Sequence, residues 1–240
     1  MYAADLLGAG LAAAVFLGLL AVFPAPDLVF VALAVAGGGA AIAGRGATRG
    51  VGGTVAAVGV VAVLVATVAP VLRVRHAAGW DEAYVVAERW SPVGRLAIFR
   101  GPAGKGIDGD YLLVDNGSAS LISTSSAQDT ALAAMVNRAA VYALYPGAQR
   151  RTAILAAGAG PEVAVATHFG QRDVTAIDLA PEMFSLVREA YPGRTPFDRV
   201  GVRTVALDAR TAIRHDPRPF GIIQLVQANF LGAAGVLSSA

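Results

Sequence analysis

The chain has 240 residues, a formal net charge of +2 and only 15% charged residues, with a mean hydropathy of +0.58. A soluble domain carries about 25% charge; here the deficit is concentrated in one part, since from Met1 to Leu72 the only charges are Asp5, Asp27, Arg45 and Arg49. A sequence without cysteine excludes disulfides, thiolate zinc sites and a cysteine nucleophile, and scattered basic residues without interleaved aromatics argue against nucleic acid as a partner.

Three apolar runs come first: Leu6–Phe23, Leu28–Ala43 and Val51–Leu72. A membrane span needs roughly 20 apolar residues. The first and third runs reach that length. The second is shorter and contains Gly37-Gly38-Gly39, so it reads either as a span or as a re-entrant or interfacial segment. Small residues dominate all three, which suits close helix packing in lipid. No basic segment precedes the first run, which argues against a cleaved signal peptide. Residues 1–74 are therefore predicted as two or three transmembrane helices with the lipid bilayer as partner. Arg73 and Arg75 follow the third run, placing the next domain on the cytosolic face of the cell (inner) membrane. Arg45 and Arg49 pull the other way, and three clean spans cannot satisfy both sets. Asp5 reads either as a polar contact inside a larger bundle or as a helix-end residue at the interface.

Residues 75–125 read as a β-hairpin region. Ala83–Ala87, Arg95–Arg100, Tyr111–Val114 and Ser120–Ser123 are predicted strands, with turns at residues 101–106 and 108–110. The glycine-lysine run at 101–106 lacks the spacing and following helix of a phosphate loop. A helix is predicted over Asp129–Leu144, where Ala131, Leu132, Met135, Val136, Ala139 and Ala140 recur at three and four residues, stopped by Tyr145-Pro146-Gly147.

Residues 126–240 continue as a strand–helix alternation. Strands are predicted at Thr152–Ala157, Asp173–Ile177, Val202–Leu207 and Gly221–Val226, and helices at Pro161–Phe169, Pro181–Tyr191 and Arg210–Arg214. This pattern implies a parallel sheet covered on both faces, with a ligand at the carboxyl ends of its strands. Three features converge there: the turn Gly158-Ala159-Gly160 after the first strand, Asp178 after the second and Asp208 after the third. Gly158 and Gly160 permit close backbone approach to a ligand. Asp178, about twenty residues beyond the turn, is placed to accept from ribose hydroxyls, and Asp208 from an adenine amino group. The alternative role for both aspartates is to cap the helices that follow them. Val163 stands where a dinucleotide turn has its third glycine, so a nucleoside without a pyrophosphate fits better: S-adenosylmethionine or its decarboxylated form. Glu162 is a carboxylate beside the turn, either for a sulfonium or amino group or as a first-turn acid. His168 is assigned to packing, and His76 and His215 have no partners at metal spacing.

Trp90-Ser91-Pro92, Leu112 through Gly117, ILAAGAGPEV, TAIDLAPEM, VALDAR and FGIIQLVQANF occur in an order that resembles the spermidine synthase-like family, polyamine aminopropyltransferases on a methyltransferase-type Rossmann fold. More narrowly the chain resembles its membrane-embedded members, in which YAADLLGA lies inside the span bundle. The resemblance implies the fold class: α-helical transmembrane segments followed by an α/β part, made of a small β-hairpin region and an incomplete methyltransferase-type Rossmann sheet. It implies that Asp178 holds the ribose, and Asp208 with Ala209 the adenine; with Gly158, Gly160 and Glu162 from the turn itself, the expected binding set is Gly158, Gly160, Glu162, Asp178, Asp208 and Ala209, and no metal is expected. The departures concern catalysis. Pro161, with Glu162 beside it, stands where the family has an acidic residue. The family's tyrosine-histidine pair falls near Ala133 and Ala134. Its amine-deprotonating aspartate falls on Val226, and a second acidic position on Asn229. An amine nucleophile must lose a proton, and valine cannot take it. The expected function is a membrane-anchored transferase using S-adenosylmethionine or its decarboxylated form with an unknown acceptor; the alternatives are a degenerate nucleoside-binding or structural membrane protein, or a fragment without a ligand. The family extends beyond both ends of this chain, and a four-stranded parallel sheet has an edge to cover. The expected cover is further chain segments, the membrane part, a second copy in a homo-oligomer, or nothing stable.

Overall fold

The computed structural model describes residues 2–20, 22–69, 72, 74, 76–77, 80–101, 107–115, 118–145 and 149–226. The predicted turns at 102–106 and 146–147, and Gln227 and Asn229, lie outside them. The chain divides into two compact units. One is Met1–Arg75 with Trp90–Pro92; the other is His76–Arg89 with the chain from Val93 onward.

The first unit is helical: α1 (Tyr2–Leu19), a 3-10 turn at Ala25–Asp27 leading into α2 (Leu28–Ala43), and α3 (Ala47–Ala66). Pro24 and Pro26 open the 3-10 turn, a position where a missing N–H costs nothing. The three-residue link from α2 to α3 makes them a helical hairpin. Glycines set its spacing. A Cβ on Gly37 would stand 2.4 Å from the Ala56 nitrogen, one on Gly52 2.5 Å from that of Ala41, and one on Gly59 2.5 Å from that of Ala34. The two backbones are in contact at all three points. Run two is therefore not interrupted by its triple glycine; Gly37 is where α3 docks. Among the described residues Ala25–Ala43 and Ala47–Ala66 are long and apolar enough to cross a membrane, so run two is not the least secure of the three; α1, 18 residues long, is apolar through Leu6–Leu19. Run three also begins and ends earlier than its apolar pattern, at Ala47 and Ala66. Val35, Ile42, Val58, Val61 and Leu64 remain exposed on the hairpin's outer surface. Asp27 is buried, and its Oδ1 accepts from the Leu72 N–H at 3.0 Å, tying the start of α2 to the segment after α3.

A matched pair of substitutions tests the hairpin. A Cβ at Gly53 meets nothing within 4 Å, so Gly53→Ala gains helix propensity worth up to about 1 kcal/mol. Gly52→Ala is expected to reverse the sign, destabilising by about 1–3 kcal/mol because backbone must move. Thermal unfolding of the detergent-solubilised chain reads both.

The second unit begins with a short antiparallel pair, β1 (His76–Ala77) and β2 (Trp80–Asp81). The Asp81 carboxylate accepts from the Ala83 N–H at 2.9 Å and caps a 3-10 turn, Glu82–Tyr84. That cap displaces the strand predicted at Ala83–Ala87, and β3 runs instead over Val85–Ser91. It joins β4 (Gly94–Phe99), β5 (Tyr111–Val114) and β6 (Ser118–Leu121) in a sheet of order β3-β4-β5-β6. Arg95 is 3% exposed. Its guanidinium donates to Glu82 of the 3-10 turn at 2.7 and 2.5 Å and to Glu88 of β3 at 2.9 and 2.5 Å, so this buried cation is satisfied by two nearby carboxylates.

The helix predicted over 129–144 is two helices, α4 (Ser126–Ala133) and α5 (Val136–Leu144), separated by Met135 in an extended conformation. Met135 and Val136 are exposed at the break, while Leu132, Ala139 and Tyr142 are buried. The break lets each half turn its own apolar side inward, which one straight helix could not do. The parallel part follows: β7 (Thr152–Leu155), α6 (Pro161–His168), β8 (Val174–Asp178), α7 (Pro181–Ala190), a 3-10 turn at Pro196–Asp198, β9 (Val202–Ala206), α8 (Ala209–His215) and β10 (Ile222–Gln224). The sheet order is β10-β7-β8-β9 with every pair parallel. The chain moves outward from β7 to β9 and then returns to β10 on the other side of β7. That reversal is a topological switch point between β7 and β10, and open α/β sheets bind ligands in the crevice at such a point. One apolar core joins both sheets, with Leu96, Ile98 and Leu112 packed together with Val163, Val165 and Met183.

Candidate functional site

The glycine turn is built by the strand before it. After β7 the Ala157 N–H continues the ladder to the Ile177 carbonyl at 3.1 Å, and the Gly160 N–H closes a turn on the Ala157 carbonyl at 2.8 Å. Three residues take the left-handed conformation: Ala156 (φ 51°), Gly158 (φ 54°) and Gly160 (φ 90°). For Ala156 this is a strained backbone held by its surroundings. Gly160 then serves as N-cap of α6, with Pro161 in the first turn.

Asp178 is the last residue of β8 and is 5% exposed. Its Oδ2 accepts from the Gly158 N–H at 3.0 Å, and its Oδ1 from the Leu179 N–H at 2.8 Å and more weakly from Ala180 at 3.5 Å. Burial pushes its carboxyl above the usual range, opposed by these backbone donors. The carboxylate thus fixes the turn of the neighbouring strand. A carboxylate has about four acceptor positions, so holding the turn leaves capacity for a ligand hydroxyl. The adjacent N–H, of Ala159, donates to the Ser120 hydroxyl on β6 at 3.0 Å. A Cβ on Gly158 would lie 2.9 Å from that hydroxyl, and one on Gly160 3.0 Å from the Phe197 ring. Both glycines are therefore needed for packing inside the chain.

Asp208 is placed differently. It is exposed, and its Oδ1 accepts from the N–H and the hydroxyl of Thr211 at 3.0 and 3.1 Å, capping α8. Those hydrogen bonds hold its carboxyl below the ordinary range. Ala209, the first residue of α8, is half-buried beside it. The Leu207 N–H donates to the Asp178 carbonyl at 2.9 Å, so the two aspartates close adjacent strands of one edge. Val226 lies two residues past β10, on the opposite side of β7.

Glu162, the second residue of α6, is 6% exposed and forms an ion pair with Arg138 of α5. Gln224, at the end of β10, donates from Nε2 to the Arg138 carbonyl at 2.8 Å and accepts at Oε1 from the Tyr142 hydroxyl at 2.7 Å. Burial raises the Tyr142 phenol well above its usual range. Gln224 pairs in register with Ile154 of β7, so this network lies at the carboxyl ends of β7 and β10. Sequence reasoning missed Ser120, Arg138, Tyr142 and Gln224. Two signals pointed to three of them: Arg138 and Tyr142 are four residues apart on one helix face, and Gln224 alternates with Ile222 on the buried face of its strand.

His168 and His215 are exposed, the former edge-on to Phe169 and the latter within 3.0 Å of the Thr211 carbonyl. Among the described residues no group of three or more histidine, aspartate or glutamate side chains is placed to hold a metal.

No protein-family model and no curated protein sequence matches the chain. Solved structures do. Spermidine synthase from Thermotoga maritima aligns with a TM-score of 0.44 at 14% identity, over 64% of this chain and 50% of that one. A spermidine synthase in complex with the transition state analogue AdoDATO aligns with a TM-score of 0.43 at 14% identity, over 61% and 49%. The chain spans about half the length of these structures.

Proposed function

We propose that the second unit binds a sulfonium nucleoside, S-adenosylmethionine or its decarboxylated form, and that the chain is a transferase of the spermidine synthase-like type held at a membrane by its helical hairpin. One observation carries the reading: a left-handed glycine turn tied to a buried carboxylate at the carboxyl edge of a parallel sheet, beside its switch point. Asp178 is the group we assign to the ribose, through the acceptor positions its backbone contacts leave free. Asp208 and Ala209, on the next strand, are assigned to the adenine edge. Gly158 and Gly160 shape the turn, and Glu162 with Arg138 stands beside it. The membrane assignment is supported by two helices of sufficient length with apolar side chains outward, with the second unit on the cytosolic side of the cell membrane. Among the described residues β10 is an edge strand, and a second copy is the partner we assign to that edge.

A second reading, a nucleoside binder without turnover, is favoured by one feature. The position two residues beyond β10 is Val226, which cannot accept a proton, and Glu162 is already ion-paired with Arg138. The two readings divide on a single experiment. The detergent-purified chain is titrated calorimetrically with each nucleoside and then assayed for methyl or aminopropyl transfer to an amine. Saturable binding with transfer supports the transferase; saturable binding without transfer supports the silent binder. No binding by a folded chain refutes both.

A further inference from the structure

Beside the crevice between β7 and β10 the chain holds two opposite charges together. Arg138 donates from Nη1 to Oε1 of Glu162, and the two side chains are 13% and 8% exposed. The guanidinium is not saturated: its Nε is buried without a hydrogen-bond partner. A guanidinium offers five N–H donors and a carboxylate about four acceptor positions, so the one side-chain contact they make among the described residues uses a fraction of either. The pair is also held in place. Gln224 grips the Arg138 carbonyl, Tyr142 grips Gln224, and Glu162 is fixed in the first turn of α6 immediately after the glycine turn.

A fixed, partly unsatisfied cation beside a fixed anion is complementary to a zwitterion. An α-carboxylate finds the guanidinium and an α-ammonium finds Glu162. Of the two sulfonium nucleosides, only S-adenosylmethionine carries both groups. Its decarboxylated form brings an ammonium without a carboxylate. It would set a second positive charge against a buried guanidinium in a poorly solvated site, where like charges repel strongly. We propose that Arg138 and Glu162 read the amino-acid end of the ligand, so that the site takes S-adenosylmethionine in preference to its decarboxylated form. The proposal rests on the sulfonium-nucleoside reading of the same site.

The test is calorimetric titration of the full chain in detergent with three probes: S-adenosylmethionine, its decarboxylated form, and 5′-methylthioadenosine, which lacks the amino-acid end. The unsubstituted chain is expected to prefer S-adenosylmethionine over the decarboxylated form by at least about tenfold. Arg138→Gln is expected to bring that ratio close to one while leaving methylthioadenosine affinity within about twofold, which shows that the pocket is still formed. Arg138→Lys, which keeps a cation, is expected to retain most of the preference. Equal or tighter binding of the decarboxylated form, or a ratio unchanged by Arg138→Gln, overturns this inference and leaves the nucleoside site standing. Failure of all three probes to bind a folded chain overturns the nucleoside reading as well.

Discussion

Replacing Asp178 by alanine is expected to weaken nucleoside binding by at least about 100-fold and to destabilise the fold by about 2–4 kcal/mol. The stability loss follows from two backbone donors, the Gly158 N–H at 3.0 Å and the Leu179 N–H at 2.8 Å. Both bonds are part-buried, and stranding such a donor costs toward the lower end of the about 1–3 kcal/mol of a fully buried one. The binding loss follows because the same bond holds Gly158 in its left-handed conformation, and a relaxed turn no longer presents the crevice. Denaturant unfolding of the full chain and calorimetry with S-adenosylmethionine measure the two effects separately. Asp178→Asn is a sharper probe. Its amide oxygen can still accept from Leu179, but its NH2 then faces the Gly158 N–H, donor against donor. The variant also removes a titration. Burial raises the folded pKa of Asp178 above its unfolded value, so protonation favours the folded state. That contribution is fully present below the unfolded pKa and is lost as pH rises through the folded one. The stability advantage of the unsubstituted chain over Asp178→Asn should therefore shrink as pH rises through that window. An advantage that grows with pH would show that the three backbone donors outweigh burial.

Gly201→Ala is expected to cost more than about 3 kcal/mol, a large loss for the addition of one methyl group. Gly201 has φ 81°, and a Cβ there would stand 2.0 Å from the Arg172 carbonyl oxygen. The left-handed conformation alone costs alanine about 1–2 kcal/mol; the backbone contact adds a displacement that no side-chain rotation relieves. Gly193→Ala is the control, since Gly193 has φ 69° with nothing within 4 Å of its Cβ position. It should show the conformational cost alone. The site depends on this turn. The Gly201 carbonyl accepts from the Val174 N–H at 2.9 Å, and Val174 pairs with Val202 at the start of the β8–β9 ladder that brings Asp178 opposite Ala206. A turn pushed off Arg172 shifts that ladder, and Gly201→Ala should lose nucleoside binding together with stability. Equal unfolding free energies for the two variants would refute the packing argument.

Much of the second unit was legible in the order of its residues. The apolar runs at 152–157, 173–177, 202–207 and 221–226 coincide with the four parallel strands to within a residue or two at their ends, and Pro161 and Pro181 open helices where proline has no N–H to lose. Errors arose where a local pattern was overruled by something distant. Helical spacing continues unbroken through Met135, yet the chain breaks there because Leu132 on one half and Tyr142 on the other bury themselves separately. Gly37-Gly38-Gly39 looked like an interruption of a span, because low helix propensity is a local property. What Gly37 provides is room for the backbone of Ala56, nineteen residues away, and no short window along the sequence relates the two.

The candidate site divides in the same way. Composition and spacing alone determined that an apolar helical part precedes an α/β part, that a glycine turn follows the first parallel strand, and that Asp178 and Asp208 close the next two. These are consequences of periodicity and of glycine's freedom at positive φ, both properties of short stretches of chain. Only the tertiary structure decided what those groups touch. It turned Asp178 back onto the Gly158 N–H, set Ser120 of the antiparallel sheet on the Ala159 N–H, left Asp208 exposed as a helix cap, and paired Glu162 with Arg138 twenty-four residues earlier. Hydrogen bonds and ion pairs act over about 3 Å between atoms that the sheet register and the packing of α5 on the crevice bring together, and neither is a property of any one segment.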